Sequence, residues 1–193
     1  MLLYQPLFNE IDRQWDEKKH ILVAIDGNSG AGKSSLSDVL KERYNCNVIS
    51  MDDFFLRPEQ RTSERFAQPG GNIDYERFID EVVIPLKSGE SFEYHPFDCK
   101  TMTLSNPISF IPTRLTVVEG VYCLHSQFTP HITYDIAVFL SIENDEQQKR
   151  LLKRNPQLYE RFINEWIPLE NVYFQHFDIK SKCNFIFDVT TQK

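Results

Sequence analysis

The sequence predicts a three-layer α/β/α fold with a mainly five-stranded parallel sheet, a small β-ribbon and a helical lid. Three observations carry that expectation. Five short apolar runs, at 20–26, 46–51, 115–121, 134–142 and 183–189, alternate with segments of helical periodicity, as parallel strands joined by crossover helices do. Between the first run and the helix after it lies a glycine-rich break that holds three of the chain's seven glycines. At 193 residues and 41% apolar content the chain suits one domain, 1–193, with a substantial core and a small mobile appendage.

Residues 1–19 place Leu3, Leu7, Phe8, Ile11 and Trp15 at helical spacing among charged neighbours, which predicts an amphipathic packing helix from about Leu7. Pro6 marks its start, since proline is tolerated only in a first turn. Strand 20–26 then runs into Gly27-Asn28-Ser29-Gly30-Ala31-Gly32-Lys33-Ser34. The spacing Gly-x-x-x-x-Gly-Lys-Ser is that of a phosphate-binding loop. Its glycines let consecutive backbone N–H groups curl around a polyphosphate, and a helix starting at Lys33 aims its positive end at the same anion. In such a loop the lysine reaches the β- and γ-phosphates and the following hydroxyl sits on Mg²⁺. Residues Gly27 to Ser34, with Ser35 beyond, are therefore the expected ATP cradle, Lys33 a catalytic charge and Ser34 a metal ligand, in a P-loop NTPase fold. A G-x-G-x-x-G fingerprint is absent, which argues against a nicotinamide enzyme.

Leu36, Val39, Leu40 and Tyr44 continue the helix, and Asn45 is a plausible left-handed stop. The strand 46–51 ends in Asp52-Asp53-Phe54-Phe55. Ligands of doubly wound folds bind at the carboxyl ends of the strands, so an acid emerging there faces the site. On an extended segment successive side chains point opposite ways; only one acid can then aim at a given atom, and spacing leaves open which. Residues 56–73, polar and broken by Pro58, Pro69, Gly70 and Gly71, have the length of a functional loop or a solvated excursion. Asp74 caps the next helix, whose apolar face is Phe78, Val82 and Leu86 and whose end is Gly89. Residues 91–111 alternate as a β-ribbon around Tyr94, His95 and Asp98.

Leu115 to Val121 is an apolar strand ending in Glu119 and Gly120. An acid there is the expected partner of the Ser34-bound magnesium, since a buried carboxylate without a cation would be costly. After the strand 134–142 a helix runs from Glu143 to Arg154, breaks at Asn155-Pro156 and resumes through Arg161, Phe162 and Trp166. Lys149, Arg150, Lys153, Arg154 and Arg161 in a net-acidic chain suit either a solvated face or a hinged basic lid, 149–177, closing over phosphates.

A net charge of −7 and a pI near 5.3 argue against a nucleic-acid partner. Cys46, Cys99, Cys123 and Cys183 show neither zinc nor disulfide spacing, and no run reaches membrane-span or signal-peptide form. A soluble, cytoplasmic protein is expected.

The loop Gly27–Ser34, the segment Val48-Ile49-Ser50-Met51-Asp52-Asp53-Phe54-Phe55, Val118-Glu119-Gly120-Val121 and the basic lid together resemble the uridine kinase and phosphoribulokinase family over most of residues 20–190. The resemblance implies an ATP- and Mg²⁺-dependent kinase acting on a hydroxyl of a nucleoside or related metabolite. It implies Asp52 as base beside the acceptor and close to the metal, Glu119 as magnesium ligand and Asp74 as ribose-binding acid. Asp53, Phe54, Tyr94, His95 and Asp98 complete the implied acceptor side, with Arg154 and Arg161 as lid charges. Where the family's pyrimidine loop continues Pro-x-Tyr-Asp-Phe-x-x-His-x-Arg, this chain reads Pro96-Phe97-Asp98-Cys99-Lys100-Thr101-Met102, without the downstream His and Arg. The Asp-Asp-Phe-Phe wording is equally similar to nicotinamide riboside kinases. A rival of another class is a regulatory ATPase without a small acceptor, although the chain has no Asn-Lys-x-Asp or Leu-Ser-Gly-Gly-Gln segment. Family members often self-associate, so a homo-oligomer is a further expectation.

Overall fold

Alternation along the strands sorts the apolar side chains into two cores, one on each face of the sheet. The computed structural model describes residues 2–191. Helix α1 (Gln5–Glu17) precedes β1 (Ile21–Gly27), α2 (Lys33–Tyr44) and β2 (Asn47–Ser50). A polar excursion holding the short α3 (Ser63–Phe66) leads to α4 (Tyr75–Phe78) and α5 (Ile84–Ser88). The short strands β3 (Phe92–Tyr94), β4 (Phe97–Asp98), β5 (Thr103–Leu104) and β6 (Ile108–Phe110) follow, and then β7 (Leu115–Glu119) and β8 (Ile136–Ser141). Helices α6 (Asn144–Arg154), α7 (Tyr159–Arg161) and α8 (Ile167–His176) lead to β9 (Phe185–Asp188). The main sheet has the order β2-β7-β1-β8-β9 and is parallel throughout, while β3 with β6 and β4 with β5 make two antiparallel ribbons.

Val23, Ile25, Val117, Val138 and Leu140 pack under α1 and α2 through Leu7, Phe8, Ile11, Leu36 and Leu40. The interleaved Ala24, Val118 and Phe139 point to the other face and meet Phe78, Val82, Tyr122, Phe128 and Tyr173. Helices on both faces of a parallel sheet give the three layers, and the strand ends carrying Gly27, Ser50 and Glu119 lie side by side.

Asn45 ends α2 in the left-handed region at φ 48°, and Gly89 ends α5 at φ 70°. Pro85 and Pro168 each sit in the first turn of a helix that follows a π-helical segment, Ile79–Val83 and Phe162–Trp166. A proline has no N–H and its ring crowds the carbonyl four residues back, so the preceding turn widens to i→i−5 pairing. Strand two is shorter than the sequence predicts. Ser50 Oγ accepts the Asp52 N–H at 3.3 Å and starts a 3₁₀ turn, Met51–Phe54, so the two acids lie on a turn and not on an extended strand. Among the described residues no helix is long and apolar enough to cross a membrane.

Candidate active site

The loop after β1 is shaped by its glycines. Gly27 has φ 133°, and a Cβ there would stand 2.2 Å from the Leu140 carbonyl oxygen, because β8 runs directly alongside. Gly32, the N-cap of α2 at φ 89°, faces open space on the side where a Cβ would project, so an anion can approach the backbone. Lys33 folds over the loop and donates from Nζ to the carbonyls of Gly27 at 2.8 Å and Asn28 at 3.1 Å. Ser34 and Ser35 are exposed on the first turn of α2. These backbone and side-chain donors around an open concavity suit a polyphosphate.

Beside the loop, Glu119 is only 7% exposed. Its Oε1 accepts from Ser34 Oγ at 3.2 Å and from Ser50 Oγ at 3.3 Å, since β7 lies between β1 and β2 with Ser50 in register. Burial raises the Glu119 pKa, the Lys33 ammonium opposes the rise, and the nearby Asp52 charge adds to it. A hydroxyl and two carboxylates form an all-oxygen donor set that fits Mg²⁺, which usually takes one or two carboxylates and completes its shell with water and phosphate.

The acids after β2 have separate fates. Asp52 is exposed, and its carboxylate has no hydrogen-bond partner among the described residues. Asp53 is half-buried and accepts from the Tyr94 hydroxyl at 3.3 Å; burial raises its pKa, and the Asp52 charge contributes in the same direction. Phe54, expected on the acceptor side, is instead fully buried. Its ring stacks on Tyr94, meets Phe78 edge to face and lies under the Arg77 guanidinium, because the 3₁₀ turn rotates it into the core.

Asp74 caps α4, as the sequence predicts, and is sealed from solvent. It is 0% exposed; Oδ1 caps Arg77 N at 3.1 Å, and Oδ2 takes Arg57 Nε at 3.0 Å, so its carboxylate presents no surface to an acceptor. His95 is partly exposed with its backbone N–H on Glu81, and Asp98 caps its own turn at Lys100 N. Burial raises the pKa of the Cys99 thiol, on the turn after β4; Asp52 and Asp98 add to the rise, while Arg61 and Arg161 oppose it.

In that segment, Asn155 caps a 3₁₀ turn, Pro156–Leu158, that leads into α7. Arg154 is exposed without an ion pair among the described residues. Arg161 is exposed, paired with Glu165 at 3.1 Å and laid on the Trp166 ring. Arg150 turns the other way, onto Glu146 and the Val189 carbonyl.

Sequence reasoning passed over three residues that brace the loop. Asp26, at 0% exposed, accepts from Gly27 N at 2.7 Å, Leu124 N at 3.2 Å and Tyr173 OH at 2.8 Å, and burial raises its pKa. The signal was present, an acid inside an apolar strand just before the first loop glycine. Glu170 and Gln147 both bond Ser29 from distant helices, and nothing local in the sequence marks them. The Ser29 N–H, expected to face phosphate, is turned onto Glu170.

A uridine kinase from Chlamydia pneumoniae is 26% identical over 146 residues, covering 71% of this chain and 64% of that protein. A phosphoribulokinase from Synechocystis is 26% identical over 130 residues, covering 65% of this chain and 39% of that protein. The chain is thus similar to uridine kinases and phosphoribulokinases, as its motifs suggest. An inorganic pyrophosphatase, TTM2, from Arabidopsis thaliana is 28% identical over 159 residues, 75% of this chain and 22% of that protein. The chain thus spans less than two thirds of each of these three proteins. The fold is shared with a possible uridine kinase from Bacillus stearothermophilus, at TM-score 0.66 and 19% identity over 95% of this chain and 100% of that one. No protein-family profile matches the chain.

Proposed function

We propose that the chain transfers the γ-phosphoryl group of ATP to a hydroxyl of a nucleoside or related small metabolite. The observation that carries this reading is the convergence, at neighbouring strand ends, of Lys33, the Ser34–Glu119–Ser50 hydrogen-bonded group and an unpartnered Asp52. Ser34 and Glu119, with Asp52 close by, would hold Mg²⁺, which when bound would supply positive charge against that of the phosphates. Lys33 exchanges its loop carbonyls for the β- and γ-phosphate oxygens. Asp52, exposed and free of bonds, orients the acceptor hydroxyl and accepts its proton. Asp53 is tied to Tyr94 and shapes the wall of the acceptor side. Arg154 and Arg161, exposed on the segment that follows Leu151, are the charges assigned to favour the transferring group over the resting triphosphate.

The acceptor class is argued from resemblance, and the missing His and Arg after Asp98 broaden it to nicotinamide riboside-like and other sugar or vitamin alcohols. Release of ADP from MgATP is to be measured across a panel of nucleosides, nicotinamide riboside and sugar phosphates. Release that depends on one acceptor class supports the kinase. Release that ignores every acceptor would leave the regulatory ATPase reading in its place.

A further inference from the structure

All three polar backbone and side-chain groups of Ser29 are held by two helices that are remote in sequence. Its N–H donates to Glu170 Oε2 at 3.1 Å, and its hydroxyl donates to Glu170 Oε1. Its carbonyl accepts from Gln147 Nε2 at 2.9 Å. Gln147 lies in α6, which runs into the segment 155–166, and Glu170 lies in α8, which runs out of it. Both side chains are buried, at 3% exposed each, so water does not compete for these bonds.

The same helix α8 grips β1 one turn later, where the Tyr173 hydroxyl donates to Asp26 immediately ahead of Gly27. Lys33 acts on the Glu170 carboxylate through its charge, opposing the rise in pKa that burial causes. Between α6 and the 163–171 stretch, beside Asn28, lies a cavity of about 340 Å³ lined by Gln147, Ile163, Ile167 and Asn171.

We infer that Glu170 and Gln147 are positioning residues that lock the first turn of the P-loop to both roots of the 155–166 segment. The order of residues 28–32 and the placement of that segment are then one equilibrium. With the Ser29 N–H committed to Glu170 and the Ala31 N–H to the Asn28 carbonyl at 3.1 Å, the loop amides left to face an anion are Gly30 and those from Gly32 onward, and the clamp keeps them in that arrangement before any anion arrives. Preorganisation of this kind acts on affinity because a bound nucleotide no longer has to order the loop. A hydrogen bond to a charged acceptor is worth about tenfold in such an equilibrium, and Glu170 makes two.

Two measurements test the clamp, and only the second rests on the proposed phosphotransfer. The first is amide hydrogen exchange of the protein without nucleotide. Glu170→Ala should raise exchange about tenfold or more in both 28–32 and 156–166, with Gln147→Leu doing the same more weakly. A rise in one segment alone, or in neither, overturns the coupling.

The second is the dissociation constant for a non-hydrolysable MgATP analogue. Glu170→Ala should weaken binding about tenfold or more. Glu170→Gln, whose amide oxygen can still accept the Ser29 N–H while its NH₂ donates to the hydroxyl, should recover to within about threefold of wild type. Wild-type affinity in folded Glu170→Ala, or failure of Glu170→Gln to recover it, refutes positioning in favour of plain stabilisation. Should Glu170→Ala not fold, Ser29→Ala and Gln147→Leu carry both arms. If the wild type binds no nucleotide, the phosphotransfer reading falls, while the exchange arm still decides the clamp.

Discussion

Protonation of one buried imidazole should loosen the polar excursion 56–73, which it holds at the Pro69 carbonyl. His125 is 4% exposed, stacked between Tyr75 and Tyr173, with Nε2 at 3.1 Å from the Pro69 carbonyl and Nδ1 accepting from Gln127 N. That tautomer is neutral, and burial holds the pKa down to about 4 from its usual 6.5. The Pro69 carbonyl and Glu76 oppose the shift, while Arg65 and Lys182 favour it. Between those two values the unfolded chain binds a proton that the folded chain refuses, so stability is full above pH 6.5 and falls as pH drops toward 4. From pH 7.5 to pH 5 the loss from this one group is about 2 kcal/mol. Urea denaturation at the two pH values, run on wild type and on His125→Asn, isolates it. The variant is less stable at pH 7.5 through lost stacking, yet its further loss on going to pH 5 should be smaller than that of wild type by about 2 kcal/mol. Equal losses in both proteins would show that His125 carries no linked proton and that its tight seat does not exclude the charged form.

Four further outcomes follow from the site. Asp52→Asn should lower turnover by about 10²–10⁴ with nucleotide affinity nearly intact, measured by steady-state rates alongside calorimetric binding; unchanged turnover removes Asp52 as base. Lys33→Ala should fail at binding, visible as loss of heat on MgATP titration. Replacing Arg154 should lower the maximal rate more than it weakens ground-state binding, and equal losses would assign it a binding role only. Gly27→Ala, at φ 133° and with its Cβ 2.2 Å from the Leu140 oxygen, should destabilise by more than about 1 kcal/mol in thermal unfolding.

The phosphate loop, the strand-end acid Glu119 and the acid pair after β2 were legible because each depends on a run of a few residues and the covalent geometry between them. The strands were equally legible from their apolar runs, with boundaries off by a residue or two: Cys46 to Met51 contracts to Asn47–Ser50 because a serine hydroxyl captures the Asp52 amide. The cap at Asp74 was legible too, but not how deeply Phe54 and Asp74 are enclosed. A side chain's identity does not reveal which way a turn rotates it, and here the turn sends Phe54 onto Tyr94 and Phe78, while Arg57 and Arg77 enclose Asp74.

What this sequence determines by itself is therefore local: where the chain extends, where it coils, and where glycines leave backbone N–H groups free to meet an anion. Tertiary structure alone decided which carboxylate stays open to solvent and which is sealed away, and it brought Gln147 and Glu170 onto Ser29 across 118 and 141 residues. Such contacts depend on how helices pack over the sheet, a long-range balance of burial and hydrogen bonding that no short window of residues contains.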